Sequence, residues 1–347
     1  MLLRENFTEA HIRDLQKISR RDPVLLERTV YAFGLLEAIT RVGMPFIFKG
    51  GTCLMLLMEH PQRLSTDIDI IVQPGTDIDK FLQYASEIFP FQHFEEQKRV
   101  GNNKIEKRHF KFAYDSPINN RPLYILLDVL FEDNHYYELV AKEIRNELLL
   151  TTPEYLTVYT PGINCILADK LAAFAPHTTG IPLNTGKDME VIKQLYDVSS
   201  LLDIFTDQKK VYHTYASITR AEIAYRGIEI TPEECLWDTF EAAVCIASRG
   251  KVNAEEYPFY LKGIRDLRGH IYAENYTPEI AAGRTARVLY MAACLLTGTE
   301  FTTVEDYRTY VGHNIINDKL MSLRYFRKAN PEAYAYVAKA DKLLSLL

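Results

Sequence analysis

The spacing of apolar residues changes character along the chain. Residues 8–20 alternate as a polar amphipathic helix. Asp22 suits an N-cap and Pro23 a first helical position, so a second helix starts there. Val24, Leu25, Val30, Leu35, Leu36 and Ile39 give it a wide apolar face, and Gly43 supplies a stop. Pro45-Phe46-Ile47-Phe48 is a short apolar strand running into Lys49-Gly50-Gly51-Thr52, and residues 53–58 read as a buried helix. Residues 67–72 alternate as a strand should, Pro74-Gly75 ends it, and 77–89 return to a helical period. Two further strands, 108–114 and 123–131, flank the turn-forming residues 115–120 and predict a hairpin. From about Pro161 the rhythm becomes helical: 163–174 and 189–205 are helices around a loop at 176–186, and 206–347 holds no strand cluster.

This pattern predicts an α+β fold. A small mixed sheet flanked by helices occupies residues 1–205, and an all-helical domain fills 206–347. Composition refines the picture little. The 347 residues are 47% hydrophobic and 25% charged, a soluble globular profile with enough chain for a sizeable core. The 22 Tyr and 17 Phe point to an aromatic-rich core or groove. A net charge of −6 argues against a general nucleic-acid coat, though not against a local basic surface. Five cysteines at irregular spacings read as buried thiols of a reducing compartment. No stretch approaches the about 18 apolar residues of a membrane helix, and the N-terminus lacks the apolar core of a signal peptide, so a cytoplasmic protein with no membrane partner is expected.

The candidate chemistry lies in the first half. Asp67 and Asp69 are two apart on a strand and share a face, while Ile68, Ile70 and Val72 take the other. Adjacent carboxylates repel, and burying them without a cation or protons is costly. Magnesium, which favours oxygen ligands and sits on one or two carboxylates plus phosphates, resolves the conflict. Asp128, inside the apolar run 125–131, needs a partner and would join the same metal site if its strand lay beside 67–72. Three carboxylates and two ions suit in-line nucleotidyl transfer. Each part alone has an ordinary reading: D-x-D as solvated surface, Asp128 as a hydrogen-bonded core acid, Gly50-Gly51 as a plain tight turn. Together, a strand-to-helix glycine turn that admits a phosphate, with Thr52 as an added hydroxyl donor, precedes the acids.

Lys49-Gly50-Gly51-Thr52 followed by Arg63-x-Ser65-x-Asp67-Ile68-Asp69 resembles the AbiEii/AbiGii-type nucleotidyltransferase toxins of the polymerase-beta-like superfamily. The resemblance implies a polymerase-beta-like core and a metal site of Asp67, Asp69 and Asp128. It implies that Lys49, Gly50, Gly51, Thr52, Arg63 and Ser65 line the nucleotide. Downstream, Ala168-Asp169-Lys170-Leu171 looks like the family's Ala-acid-Lys-Leu helix, and Lys187-Asp188 with Lys193 to Asp197 looks like its later basic–acidic segment. By that likeness Lys170 contacts the triphosphate, and Asp197 and Lys193 complete the wall. The family's compact Arg-Asp-x-x-Asp is stretched here, with Asp188 and Asp197 nine apart. Read without the family, Lys170 is either a snorkelling lysine or a cation held near phosphates.

The resemblance also implies an NTP substrate, two magnesium ions, an RNA acceptor such as tRNA, and a separately encoded antitoxin of a type IV toxin–antitoxin pair. Rival readings are transfer to a small molecule or protein, and a silent nucleotide-binding or interaction module. A basic cluster, Lys98, Arg99, Lys104, Lys107, Arg108 and Lys111, would grip RNA phosphates or form a solvated loop among Glu95, Glu96 and Glu106.

Overall fold

The computed structural model describes residues 1–60, 62–97, 106–272 and 274–345. Chain contacts divide it into two compact units. One comprises Met1–Gly162 with Gly269–Glu274, and the other Ile163–Arg268 with Asn275–Leu347.

The first unit opens with a 3-10 turn, Arg4–Phe7, and helix α1, Glu9–Ser19. Helix α2, Pro23–Arg41, begins where Asp22 accepts from the amides of Val24 and Leu25, both at 2.9 Å. The chain leaves α2 through Gly43 at φ +74°, the left-handed geometry glycine adopts freely. Strand β1, Ile47–Lys49, leads directly into helix α3, Gly50–Leu57. Strand β2, Ile68–Val72, and helix α4, Asp79–Ser86, follow. Then come β3, His93–Gln97, β4, Glu106–Ser116, and β5, Arg121–Phe131. These strands form a five-stranded sheet in the order β1-β2-β5-β4-β3. β2 and β5 run parallel; the other neighbours are antiparallel. A separate ribbon pairs β6, Leu139–Glu143, with β7, Thr157–Pro161.

The hairpin joins β4 to β5 through 117–120, with Asn120 at φ +51°, a conformation asparagine tolerates. Its alternation separates two faces. Ile125, Leu127, Val129, Phe110 and Phe112 are buried, and α2 packs against β2, β5 and α4. The intervening residues, including Tyr124, Leu126, Asp128 and His109, are half-buried or exposed on the opposite face. Glu27 pins α2 to the hairpin. Its carboxylate is wholly buried and accepts from Tyr114 Oη at 3.0 Å, Ser116 Oγ at 2.9 Å and the Ile118 amide at 3.2 Å. Burial pushes its pKa up, and these donors partly offset the shift.

The second unit is helical: α5 Ile163–Ala173, α6 Asp188–Leu201, α7 Gln208–Arg226, α8 Pro232–Ala247, α9 Tyr257–Leu267, α10 Pro278–Thr297, α11 Phe326–Ala329 and α12 Pro331–Leu344. α10 packs on α8 and α12, α5 on α7, and α6 on α9. Thr231 with Glu234 forms a reciprocal capping box at the start of α8, and Gly227 and Gly298 end α7 and α10 in left-handed geometry. All five cysteines are buried thiols. No helix among the described residues is long and apolar enough to cross a membrane.

The α+β expectation agrees with this architecture. The β4–β5 hairpin, β2 and the helical remainder lie where the residue pattern places them. The pattern missed β3, β6 and β7, and it started α3 three residues late if the apolar run alone is counted.

Candidate active site

The strand register builds a polar row across the open face of the sheet. Lys49 lies opposite Asp69, Asp69 opposite Asp128, Asp128 opposite His109, and His109 opposite Gln97. Residues directly opposite one another share a face. Five neighbouring strands therefore contribute one polar side chain each to a single line, with the two acids adjacent at its centre. The condition set for Asp128, that its strand lie beside 67–72, is met in register as well as in adjacency.

The glycine turn is fitted to these acids. Gly50 has φ +81°, and a Cβ built on it would stand 1.9 Å from Asp69 Oδ2 and 2.7 Å from Asp69 Cγ. The Asp69 carboxylate thus occupies space that exists only because residue 50 has no side chain. A Cβ on Gly51 would meet Ser65 Oγ at 2.6 Å and Arg63 Nη2 at 2.8 Å. Gly50 therefore lies against Asp69, and Gly51 against Ser65 and Arg63. Thr52 is buried, and its hydroxyl donates to the Asp67 carbonyl at 2.6 Å. Thr52 therefore ties α3 to the mouth of β2 in this structure. Lys49 occupies the capping position of α3, and its side chain makes no capping hydrogen bond to the first turn. Lys49 Nζ lies 5.8 Å from the centre of the Tyr136 ring.

Asp67 precedes β2 and faces α2, with Arg28 Nη2 at 3.6 Å and Thr66 Oγ1 at 3.3 Å from its Oδ1. Asp128 Oδ1 lies 2.7 Å from His109 Nδ1. An ionised carboxylate only accepts, so Nδ1 carries the proton in this bond. The loop that presents Arg63 is held by a distant segment of the same unit. The Leu64 amide donates to the His270 carbonyl at 2.8 Å, and the Tyr272 amide to the Gln62 carbonyl at 2.9 Å. Arg63 itself is 5% exposed and sends Nη1 to the Leu64 carbonyl at 3.3 Å.

Magnesium fits this donor set in one particular manner. Among the described residues, no group of three or more His, Cys, Asp or Glu is gathered closely enough to hold a metal ion. A closed protein cage is therefore not what the acids form. Two adjacent carboxylates, one seated on a side-chain-free glycine, match instead the open mode in which magnesium takes one or two carboxylates and completes its shell with phosphate and water.

The downstream residues belong to the helical unit. Lys170 Nζ and Asp197 Oδ2 are 3.2 Å apart, with side chains 6% and 1% exposed. Lys193 is 3.9 Å from Glu190 on the same helix. Asp188 is buried, with Lys262 Nζ at 2.7 Å from Oδ2 and no hydrogen-bond partner for Oδ1. The snorkelling alternative for Lys170 does not describe it, because its head is buried against a carboxylate.

The basic cluster is only partly within the described residues; Lys98, Arg99 and Lys104 lie outside them. Arg108 is bound to Glu96 and Asp79, each at 2.9 Å, and Lys111 lies 3.5 Å from Glu95. These cations are matched locally by acids.

Sequence reasoning missed Arg28, His109 and the 270–272 segment. His109 was reachable. If the turn is centred on 117–120, residues whose numbers sum to 237 face each other, which sets 109 against 128.

The sequence profile of the family described as "Nucleotidyl transferase AbiEii toxin, Type IV TA system" matches residues 35–278. No curated protein matches the chain. Among solved structures, JHP933 from Helicobacter pylori is 14% identical, covers 78% of this chain and 93% of its own, and has a TM-score of 0.43. A second H. pylori structure, whose description assigns it as a nucleotidyltransferase, is 13% identical with coverage of 78% and 96% and the same TM-score of 0.43. The profile match spans well over half of the chain, from within α2 to the start of α10, and it includes the glycine turn, both central acids and His109. The chain belongs to the AbiEii nucleotidyltransferase toxin family of type IV toxin–antitoxin systems.

Proposed function

We propose that the protein transfers a nucleoside monophosphate from an NTP to an acceptor hydroxyl of RNA, tRNA being the family-based choice, with magnesium as cofactor. The observation that carries this reading is the adjacency of Asp69 and Asp128 in register, with Asp69 seated on Gly50. Asp67, Asp69 and Asp128 are the proposed ligands of two ions. When bound, the magnesium would lower the pKa of the attacking hydroxyl and offset charge on the triphosphate and on departing pyrophosphate.

The chain's own groups would then act as follows. The first turn of α3, with Gly50 and Gly51, would donate backbone N–H groups to phosphate oxygens with no Cβ in the way. Lys49, Thr52, Arg63 and Ser65 surround that turn and orient the nucleotide. The acceptor oxygen forms a bond to the α-phosphorus as the bond to the bridging oxygen of the β-phosphate breaks. Pyrophosphate leaves, and the acceptor proton passes to Asp128. On the sequence resemblance alone, Lys170, Asp197 and Lys193 are proposed as further residues of the family's site. A separately encoded antitoxin is the proposed partner.

One observation favours a second acceptor class. The net charge is −6, and Arg108 and Lys111 are matched by acids, which supports a small-molecule or protein acceptor more than a long RNA. Incubation with each labelled NTP, magnesium and total RNA or cell extract tests both readings. Label in RNA, lost in Asp67→Asn/Asp69→Asn, supports the first. Label confined to protein or small molecules supports the second. Undiminished transfer by the double variant contradicts the site.

A further inference from the structure

His109 is not part of any motif that led to the site, yet it contacts one of the central acids directly. Asp128 on β5 is flanked by Asp69 of β2 on one side and His109 of β4 on the other. The His109 and Asp128 side chains are 16% and 35% exposed, so the pair is neither a solvated surface contact nor a sealed core pair. It sits in the middle of the sheet, where a carboxylate placed against a second carboxylate meets repulsion. A donor on the far side of Asp128 fixes its rotation. Because His109 Nδ1 engages Oδ1, the second oxygen is the one left to serve the side nearer Asp69.

We propose that His109 is a positioning residue of the transfer site, whose Nδ1–H holds Oδ1 of Asp128 and commits the other carboxylate oxygen to the cation and acceptor side shared with Asp69. This rests on the nucleotidyltransferase reading above and adds a residue to it. The role matches the general behaviour of groups that orient metal-binding carboxylates from behind. Gln97, opposite His109 on β3, closes the row on the outer side and is not required by the proposal.

The test uses the full chain with His109→Ala and His109→Asn, the latter because an asparagine amide nitrogen can reach near the Nδ1 position. Three quantities are read: transfer kinetics with labelled NTP, Mn2+ affinity by electron paramagnetic resonance, and the imidazole tautomer of His109 by 15N NMR. In His109→Ala, kcat should fall about 10- to 100-fold with KM for NTP changed less than about threefold, and Mn2+ should bind about tenfold more weakly. His109→Asn should recover most of both losses. In the wild type, Nδ1 should carry the proton, and its signal should move in Asp128→Asn.

Wild-type kcat and Mn2+ affinity in His109→Ala would overturn the proposal, as would an Asn variant no better than Ala or a ring protonated only at Nε2. If His109→Ala does not fold, His109→Asn and the wild-type tautomer still decide. A wild type that transfers from no NTP would contradict the parent reading, while Mn2+ affinity and tautomer would still judge His109.

Discussion

The buried acids of the helical unit and the half-exposed acids of the sheet have different surroundings. In the helical unit each buried acid has a basic partner close by: Asp197 with Lys170 at 3.2 Å, Asp188 with Lys262 at 2.7 Å, Asp238 with His177 at 2.6 Å and Asp341 with His313 at 2.8 Å. In the sheet unit, by contrast, the Asp67 and Asp128 side chains are 39% and 35% exposed, and Asp69 and Asp128 are set side by side in register. Arg28 lies near Asp67 at 3.6 Å, and His109 meets Asp128 at 2.7 Å. A buried, matched acid is a structural element whose charge is cancelled within the fold. Half-open acids placed next to one another keep capacity for a cation and its phosphates.

Stability measurements sharpen that contrast most strongly. Lys170→Ala leaves the Asp197 carboxylate buried beside an empty space, so unfolding free energy should fall by about 3–5 kcal/mol. Asp128→Asn, on the open face, should stay within about 1 kcal/mol of wild type in the same urea titration. Equal losses in the two variants would erase the distinction.

Gly50→Ala should act in the other direction, on activity more than on folding. The new Cβ cannot coexist with Asp69 where it stands, and residue 50 holds a left-handed φ. Displacing that carboxylate by about 1 Å should lower transfer about 100-fold. Gly43 offers the control, since a Cβ placed there would meet nothing within 4 Å although its φ is also positive, at +74°. Gly43→Ala should share the backbone strain and keep the activity.

The smallest effect is a pH dependence in the helical unit. The hydrogen bond to Asp238, with a further one to Glu256, raises the His177 pKa to about 9. A histidine with a raised folded-state pKa stabilises fully below its unfolded value, about 6.5, and that contribution is lost as pH rises through about 9. The ring is half-exposed, so solvent screening should limit the term to about 1 kcal/mol or less. The stability difference between wild type and His177→Gln should therefore shrink between pH 6 and pH 10, whereas a constant difference would show no such coupling.

Much of the sheet unit was legible because one face of it is buried. β4 and β5 alternate between buried and half-exposed positions, β2 carries Asp69 between buried isoleucines, and Asp128 stands out as an acid inside an apolar run. β3 was not legible: His93–Gln97 carries one apolar residue, Phe94, and lies at the sheet edge, where alternation is weak. In the two-stranded ribbon, β6 has only half-buried or exposed positions, and β7 buries Thr160 beside Val158 while exposing Tyr159, so polarity does not follow burial there. The contact of residues 270–272 with Gln62 and Leu64 joins positions some two hundred residues apart, and no local pattern encodes it. The Lys170–Asp197 pairing was likewise beyond local reading, since each residue looks like an ordinary helical charge until α5 and α6 pack together.

The central claim is that Asp69 and its neighbours on the open face carry the transfer chemistry. Purified wild type and Asp67→Asn/Asp69→Asn should be compared with labelled NTPs, magnesium and total RNA, alongside urea titrations of both. Transfer should fall by at least about 1000-fold at nearly unchanged stability. Transfer by the double variant within a few-fold of wild type, in a folded protein, would contradict the claim.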